Sequence, residues 1–130
     1  VRIRAILPVG KKPEKDPPPW RLNRSLNGGG ILMNWGCYDL DFALSLTGWK
    51  LRPQTVFARA WGVPPQLTSY VAPNSNAESH FAALIACDGG AVITFERGEY
   101  VAAPNDVAWQ VIGAAGSLRM QMTPREAKEV

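Results

Sequence analysis

One predicted helix carries a polar stripe whose residues could do chemistry. Four polar residues recur there at spacings of four, three and four: Asn34, Tyr38, Asp41 and Ser45. Helical geometry would place these residues on one side of the helix. A tyrosine hydroxyl has an ordinary pKa of about 10, so it acts as a base only beside a cation that lowers that pKa. The ordinary alternatives are packing for Tyr38, bracing of a loop for Asn34 and a solvated helix position for Asp41.

The helix that would carry this stripe is predicted from Ile31 to Leu46. An apolar stripe on its neighbouring side is expected to pack on a sheet: Met33, Cys37, Leu40 and Leu44. The triplet Gly28-Gly29-Gly30 leads into the helix, either as a flexible connection or to allow a ligand to approach the backbone closely. Gly48 follows Thr47 and is expected to end the helix, because glycine accepts left-handed backbone angles.

The rest of the chain reads mostly as strands. Their predicted ranges are Val1–Leu7, Val56–Val63, His80–Cys87, Ala91–Arg97, Val107–Ile112 and Ser117–Met122. Asp88-Gly89-Gly90 is a strong hairpin signal, and the prolines of Pro8–Pro19 predict a long loop. Because helix and strands are segregated along the chain, we expect an α+β domain. Its sheet should be open-faced and mostly antiparallel, with one main helix on one face.

Composition narrows the function classes. The chain has 130 residues, 46% of them hydrophobic and 19% charged, which predicts one globular domain. Its net charge of +3 comes from residues 1–24, where Lys11, Lys12 and Lys15 fall in the proline-rich loop, so a nucleic-acid partner is disfavoured. Two scattered cysteines and one histidine, His80, do not form a metal motif, and free thiols in a reducing cytoplasm are expected. The apolar runs are too short for a membrane helix.

The segment from Gly28 to Asp41, ending at Thr47-Gly48, resembles the Gfo/Idh/MocA family of glucose-fructose oxidoreductase and inositol dehydrogenase. The resemblance implies a C-terminal domain like that of dihydrodipicolinate reductase, cut from an N-terminal Rossmann domain that binds NAD or NADP and supplies a lysine. It implies Tyr38 as the catalytic residue and five substrate-binding residues: Asn34, Asp41, Arg21, Gly29 and Gly30. Asn34 departs from the aspartate that is common in the family. Tyr38 in place of histidine favours the glucose-fructose oxidoreductase and dihydrodiol dehydrogenase branches.

The resemblance therefore predicts the substrate-side domain of an NAD(P)-dependent oxidoreductase acting on a sugar, a polyol or a related hydroxyl or carbonyl compound. The alternative is a catalytically inactive module for sugar binding or oligomerisation, because Asn34 has replaced an acid. The isolated segment lacks a Gly-x-Gly-x-x-Gly fingerprint, so it is expected to bind no nicotinamide cofactor and to be inactive alone. The strand Val56–Val63 has apolar residues on both faces, which predicts a homodimer or a higher homo-oligomer formed through the sheet.

Overall fold

The computed structural model describes residues 1–10, 12, 14–15 and 17–121. Six strands form one sheet in the order β2-β3-β4-β1-β5-β6. Their bounds are β1 Arg2–Pro8, β2 Pro53–Trp61, β3 His80–Cys87, β4 Val92–Val101, β5 Asp106–Gly113 and β6 Gly116–Gln121. The predicted α+β domain with a mostly antiparallel open sheet is confirmed. Met122, expected to end the last strand, and Lys11, Pro13 and Asp16 of the expected loop lie outside the described residues.

One pair of neighbouring strands departs from the antiparallel pattern. β1 runs parallel to β4 and antiparallel to β5, so the N-terminal strand is inserted between two strands that come late in the chain. Ile3 of β1 lies beside Phe95 of β4 and Trp109 of β5. This register places the three side chains on one face of the sheet, which becomes the core face.

The described residues include two α-helices, and a π-helical turn precedes the second of them. Helix α1 is the short segment Arg24–Asn27, which sequence analysis did not predict, and helix α2 is Cys37–Leu46. Leu32–Gly36 forms a π-helical turn that leads directly into α2. The predicted helix over Ile31–Leu46 is therefore confirmed as one helical segment, with an irregular first part. None of the helices among the described residues combines the length and the hydrophobicity that a membrane span requires.

The predicted apolar stripe is partly wrong. Met33 is 55% exposed and Cys37 is also exposed, while Gly36, Asp39 and Ala43 are buried. The π-turn adds a residue to one turn of the helix, so a spacing counted at 3.6 residues per turn loses its register there. In addition, the centre of the buried side is a carboxylate, which a search for apolar residues passes over.

The core lies between α2 and the sheet. Its buried members come from α2, the residue before the π-turn and four strands: Ile3, Ile31, Ala43, Phe81, Ile85, Cys87, Ile93, Phe95 and Trp109. Phe81 and Phe95 pack edge to face with ring centroids 4.8 Å apart, and Phe42 of α2 lies 4.8 Å from Trp109. These aromatic contacts fix the helix over the middle of the sheet.

The predicted turns are present. Gly89 and Gly90 have φ angles of 71° and 80° between β3 and β4, so the Asp88-Gly89-Gly90 hairpin is confirmed. Gly48 has a φ of 62° and its N–H donates to the Ser45 carbonyl at 2.9 Å, which ends α2 as expected.

Candidate functional site

The glycine-rich segment before the π-turn packs against Glu78, which lies just before β3. The Gly30 N–H donates to Glu78 Oε1 at 2.9 Å, and the Ile31 N–H donates to the Glu78 carbonyl at 2.8 Å. A Cβ atom added to Gly30 would lie 1.9 Å from that carbonyl oxygen. The close backbone approach at Gly30 is thus made by the chain itself, and contact of Gly29 and Gly30 with a substrate stays a prediction.

Two backbone N–H groups at this helix start are already occupied, which disfavours a dinucleotide phosphate there. Phosphates bind at helix starts through free backbone N–H groups. Here the N–H groups of Gly30 and Ile31 already have acceptors, and one acceptor is the carboxylate of Glu78, which would repel an anion. The part of the chain that the structure describes also holds no group of three or more His, Cys, Asp or Glu side chains placed to bind a metal.

The π-turn itself is tightly packed. The Cys37 N–H donates to the Leu32 carbonyl, five residues back, which is the bond that defines a π-turn. A Cβ atom on Gly36 would lie 2.9 Å from Leu32 Cδ1 and 3.3 Å from Phe81 Cζ. Gly36 therefore lets the turn lie against the core. π-turns inside helices occur frequently at functional sites.

The predicted polar stripe faces away from the sheet. Tyr38 is 63% exposed, Asp41 is exposed and Asn34 is half-buried. The Trp35 ring lies beside Tyr38, with centroids 6.1 Å apart and a tilt of 58°. Tyr38 thus offers its hydroxyl on an open surface, next to a second aromatic ring and one turn after the Asn34 amide.

A cavity under the helix does not include this stripe. A groove of about 310 Å³ lies between the helical segment and the inner face of β2, lined mostly by apolar side chains such as Leu32, Leu40, Val56, Phe81 and Phe95. Asn34, Tyr38 and Asp41 do not line it. The candidate site is therefore the outward surface of the helical segment, which a further domain would have to cover to exclude water.

The inward side of the same helix turn carries a buried ion pair that sequence analysis missed. Arg97 Nη1 of β4 donates to Asp39 Oδ2, and the two residues are only 6% and 1% exposed. The Arg97 guanidinium carbon also lies 5.6 Å from the centre of the Trp35 ring. Burial raises the pKa of the Asp39 carboxyl above 3.8, and the charge and hydrogen bond of Arg97 oppose that rise.

A second ion pair continues this charged chain. Arg21 Nη2 donates to both carboxylate oxygens of Glu99 at 2.7 Å, and Glu99 is 7% exposed. Burial raises the pKa of the Glu99 carboxyl, against the opposing charges of Arg21 and Arg97. Arg21, predicted to bind substrate, is thus already engaged by a carboxylate of its own chain, and any contact with substrate would use its remaining donors.

The sequence did hold a signal for the missed residues. Along β4, Ile93 and Phe95 alternate toward the core, and the same period of two continues to Arg97. A charged residue at an inward strand position requires a buried partner. Asp39 could not be chosen as that partner, because 58 residues separate it from Arg97.

One comparison with known proteins identifies a family. A family model described as the GFO/IDH/MocA C-terminal domain matches residues 1–119. An NAD-binding oxidoreductase from Klebsiella pneumoniae is similar, with 27% identity and a TM-score of 0.65 over 93% of this chain and 32% of that one. A search of curated proteins finds no significant match.

Two further solved structures share the fold. An oxidoreductase domain protein from Kribbella flavida has 23% identity and a TM-score of 0.68, over 92% of this chain and 32% of that one. The aldose-aldose oxidoreductase from Caulobacter crescentus, complexed with glycerol, has 24% identity and a TM-score of 0.64, also over 92% and 32%. The present chain therefore spans about a third of the length of these proteins.

Proposed function

The chain belongs to the GFO/IDH/MocA family, and we propose that it is the substrate-side domain of an NAD- or NADP-dependent oxidoreductase. The substrate would be a sugar, a polyol or a related hydroxyl or carbonyl compound. The observation that carries this proposal is the exposed Tyr38 hydroxyl, next to Asn34, on a helix whose inner side is fixed to the sheet by Arg97 and Asp39.

Tyr38 is the proposed acid-base residue. Oxidation of an alcohol removes a proton from the hydroxyl oxygen while hydride leaves the carbon, so a proton-accepting group must contact that oxygen. The exposure of the Tyr38 side chain on the helix surface supports this proposed contact. The cation that a tyrosine base requires would be the lysine of the N-terminal domain, as the family resemblance implies.

The remaining polar residues would orient the substrate. The Asn34 amide can both donate a hydrogen bond to a hydroxyl group and accept one, and Asp41 can accept one. The donors of Arg21 that Glu99 leaves free, together with the backbone of Gly29 and Gly30, would complete the contacts. Each of these roles is proposed from position on or near the helical segment and from the family resemblance.

The cofactor would be bound outside this chain. Glu78 already occupies the Gly30 and Ile31 N–H groups at the start of the helical segment, and a Rossmann domain preceding this segment is the proposed site for NAD or NADP. That domain would cover the outward helix surface, where Met33, Trp35 and Tyr38 are exposed. Covering these residues would also keep water away from the reacting atoms.

We test the proposal in the full-length protein with Tyr38→Phe, using NAD or NADP and a panel of glucose, xylose, myo-inositol and glycerol. Loss of a general acid-base residue should lower turnover by about 10² to 10⁴ with little change in stability. Tyr70→Phe is the matched control, since Tyr70 lies in the separate helical turn Pro65–Tyr70. Asn34→Asp should be tolerated and should preserve or raise turnover. If Tyr38→Phe leaves turnover unchanged, Tyr38 is not the acid-base residue and serves only in packing.

The second candidate function is an inactive module that binds sugar or assembles the protein. Asn34 favours it, because an amide cannot take the proton that an aspartate takes at this position in the family. Saturable sugar binding without any reduction of NAD or NADP would support this second candidate.

The open face of the sheet is the proposed dimer interface. Phe57 of β2 and Leu84 of β3 are paired on this face and are 78% and 50% exposed. Trp61 of β2 lies on the same face and is 45% exposed. Burial of apolar surface contributes about 25 cal/mol per Å², so association with a second copy through this face would be stabilised.

We also propose a cytoplasmic location, because Cys37 and Cys87 are both free thiols.

A further inference from the structure

We infer that Arg97 and Asp39 are positioning residues for Tyr38: their buried ion pair sets the orientation in which the first turn of α2 presents the tyrosine. This inference rests on the proposed function, in which Tyr38 is the acid-base residue. Neither Arg97 nor Asp39 would touch the substrate, since both are buried.

The first support is the position of Asp39 directly after Tyr38. Consecutive residues of a helix point about 100° apart, so fixing one residue fixes the direction of the next. Asp39 is 1% exposed and bonded to the sheet, whereas Tyr38 is 63% exposed. The ion pair therefore fixes the rotation of α2 about its own axis at the position of Tyr38.

The second support is the contact of the same guanidinium with Trp35. The Arg97 guanidinium carbon lies 5.6 Å from the centre of the Trp35 ring, within the range of a cation–π contact. The Trp35 ring in turn lies 6.1 Å from the Tyr38 ring. Arg97 thus acts on Tyr38 through two contacts. One is its bond to Asp39, the next residue in the helix, and the other is its contact with the Trp35 ring beside Tyr38.

The third support is energetic. A buried ion pair costs desolvation that its attraction often fails to exceed, and apolar residues of similar volume commonly stabilise a protein as well or better. Arg97 Nε is in addition buried with no hydrogen-bond partner among the described residues. The ion pair is therefore poorly explained by a gain in stability. Its directional hydrogen bond can instead orient the first turn of α2, directly after the irregular π-turn.

The neighbouring pair of Glu99 and Arg21 adds a second negative charge near Arg97. Glu99 lies two residues after Arg97 on β4, and both residues are buried. The negative charge of Glu99, itself held by two bonds from Arg21, attracts the Arg97 guanidinium. Arg97 is thus bonded to the Asp39 carboxylate and is also attracted by the charge of Glu99.

The test is a double-mutant cycle in the full-length protein. Asp39→Leu with Arg97→Met replaces the ion pair by apolar side chains, and Tyr38→Phe is added to both the native and the replaced background. We expect the replacement to lower turnover by about 10- to 100-fold, because a displacement near 1 Å can cost about that much. In the replaced background, the cost of Tyr38→Phe should be smaller than in the native background by that same factor of about 10 to 100, since residues that act as a unit are non-additive.

Two measurements keep the test decisive if the replaced protein folds poorly or no substrate on the panel reacts. Trp35→Leu leaves the ion pair intact and should show the same non-additivity with Tyr38→Phe. Carbon-13 NMR of tyrosine-labelled full-length protein follows Tyr38 directly, with its signal assigned by loss in Tyr38→Phe. The signal should move in the replaced protein and in Trp35→Leu, and it should stay in place in Asp88→Asn. Asp88 lies in the exposed β3–β4 turn and controls for the loss of a carboxylate charge outside the helical segment.

The outcomes distinguish failure of the proposed function of Tyr38 from failure of the positioning role of Arg97 and Asp39. If Tyr38→Phe leaves turnover unchanged in the native background, the proposed function fails, and the NMR signal alone decides whether Arg97 and Asp39 orient the tyrosine. If Tyr38→Phe lowers turnover but costs equally in both backgrounds, with the tyrosine signal unmoved, the ion pair is merely structural and the positioning role is overturned.

Discussion

Gly30→Ala tests how the glycine-rich segment is built. The added Cβ would lie 1.9 Å from the Glu78 carbonyl oxygen and 2.7 Å from the Glu78 nitrogen, and both are backbone atoms with no side-chain freedom. Reaching an ordinary contact of 3.4 Å requires a separation of about 1.5 Å between the two segments. That movement breaks or weakens the bonds of 2.9 Å and 2.8 Å that Gly30 and Ile31 donate to Glu78.

The expected loss of stability follows from these two effects. Overpacking costs about 1–3 kcal/mol, and each lost hydrogen bond about 0.5–1.5 kcal/mol. The free energy of unfolding should therefore fall by about 2–6 kcal/mol. With a urea dependence of about 1–3 kcal/mol per molar, the midpoint of urea unfolding should fall by roughly 1 M or more.

The assay is urea unfolding of the purified chain followed by tryptophan fluorescence. Gly62→Ala is the matched control, because its added Cβ would have no atom within 4 Å and its φ is not in the left-handed region. The control should unfold within about 0.5 kcal/mol of the unchanged chain. If Gly30→Ala unfolds at the same urea concentration as Gly62→Ala, the argument that Gly30 is required by the backbone of Glu78 is refuted.

Three further predictions concern the isolated chain. Calorimetric titration with NAD and NADP should be flat, because the helix start at Gly30 is occupied by Glu78; saturable micromolar binding would overturn the two-domain proposal. Because burial raises the folded-state pKa of Glu99 above 4.5, its contribution to stability is greatest below pH 4.5 and falls as pH rises through that raised value. In urea titrations at increasing pH from 4.5, the free energy of unfolding should therefore fall less for Glu99→Gln than for the unchanged chain. An equal fall in both proteins would contradict a raised pKa for Glu99. Light scattering across a concentration series should show self-association, and a monomeric mass up to high micromolar concentration would exclude pairing through the sheet.

The family and the main elements could be predicted from local sequence. Turn residues placed the β3–β4 hairpin, because only glycine readily adopts the φ angles of 71° and 80° found at Gly89 and Gly90. The helical segment was predicted as Ile31–Leu46, and the segment from Gly28 to Asp41 pointed to the family that the comparisons then matched over residues 1–119.

Other features depended on which strands become neighbours. The parallel pairing of β1 with β4 joins residues about 90 positions apart, such as Ile3 and Phe95, and no local pattern specifies that pairing. The inward side of α2 was predicted only in part. Leu40 and Leu44 pack against the core as expected, whereas Cys37 is apolar but exposed and Asp39 is charged but buried. Only contact with Arg97 makes burial of Asp39 possible.

The sequence by itself determined the elements, their turns and the direction of the polar stripe, because these depend on backbone angles and on periodicity within a few residues. The tertiary structure decided what holds that stripe in place: Glu78 against Gly30, and Arg97 against Asp39. Those contacts join residues 48 and 58 positions apart. Their energies arise from desolvation and close packing, and both exist only after the sheet has brought the segments together.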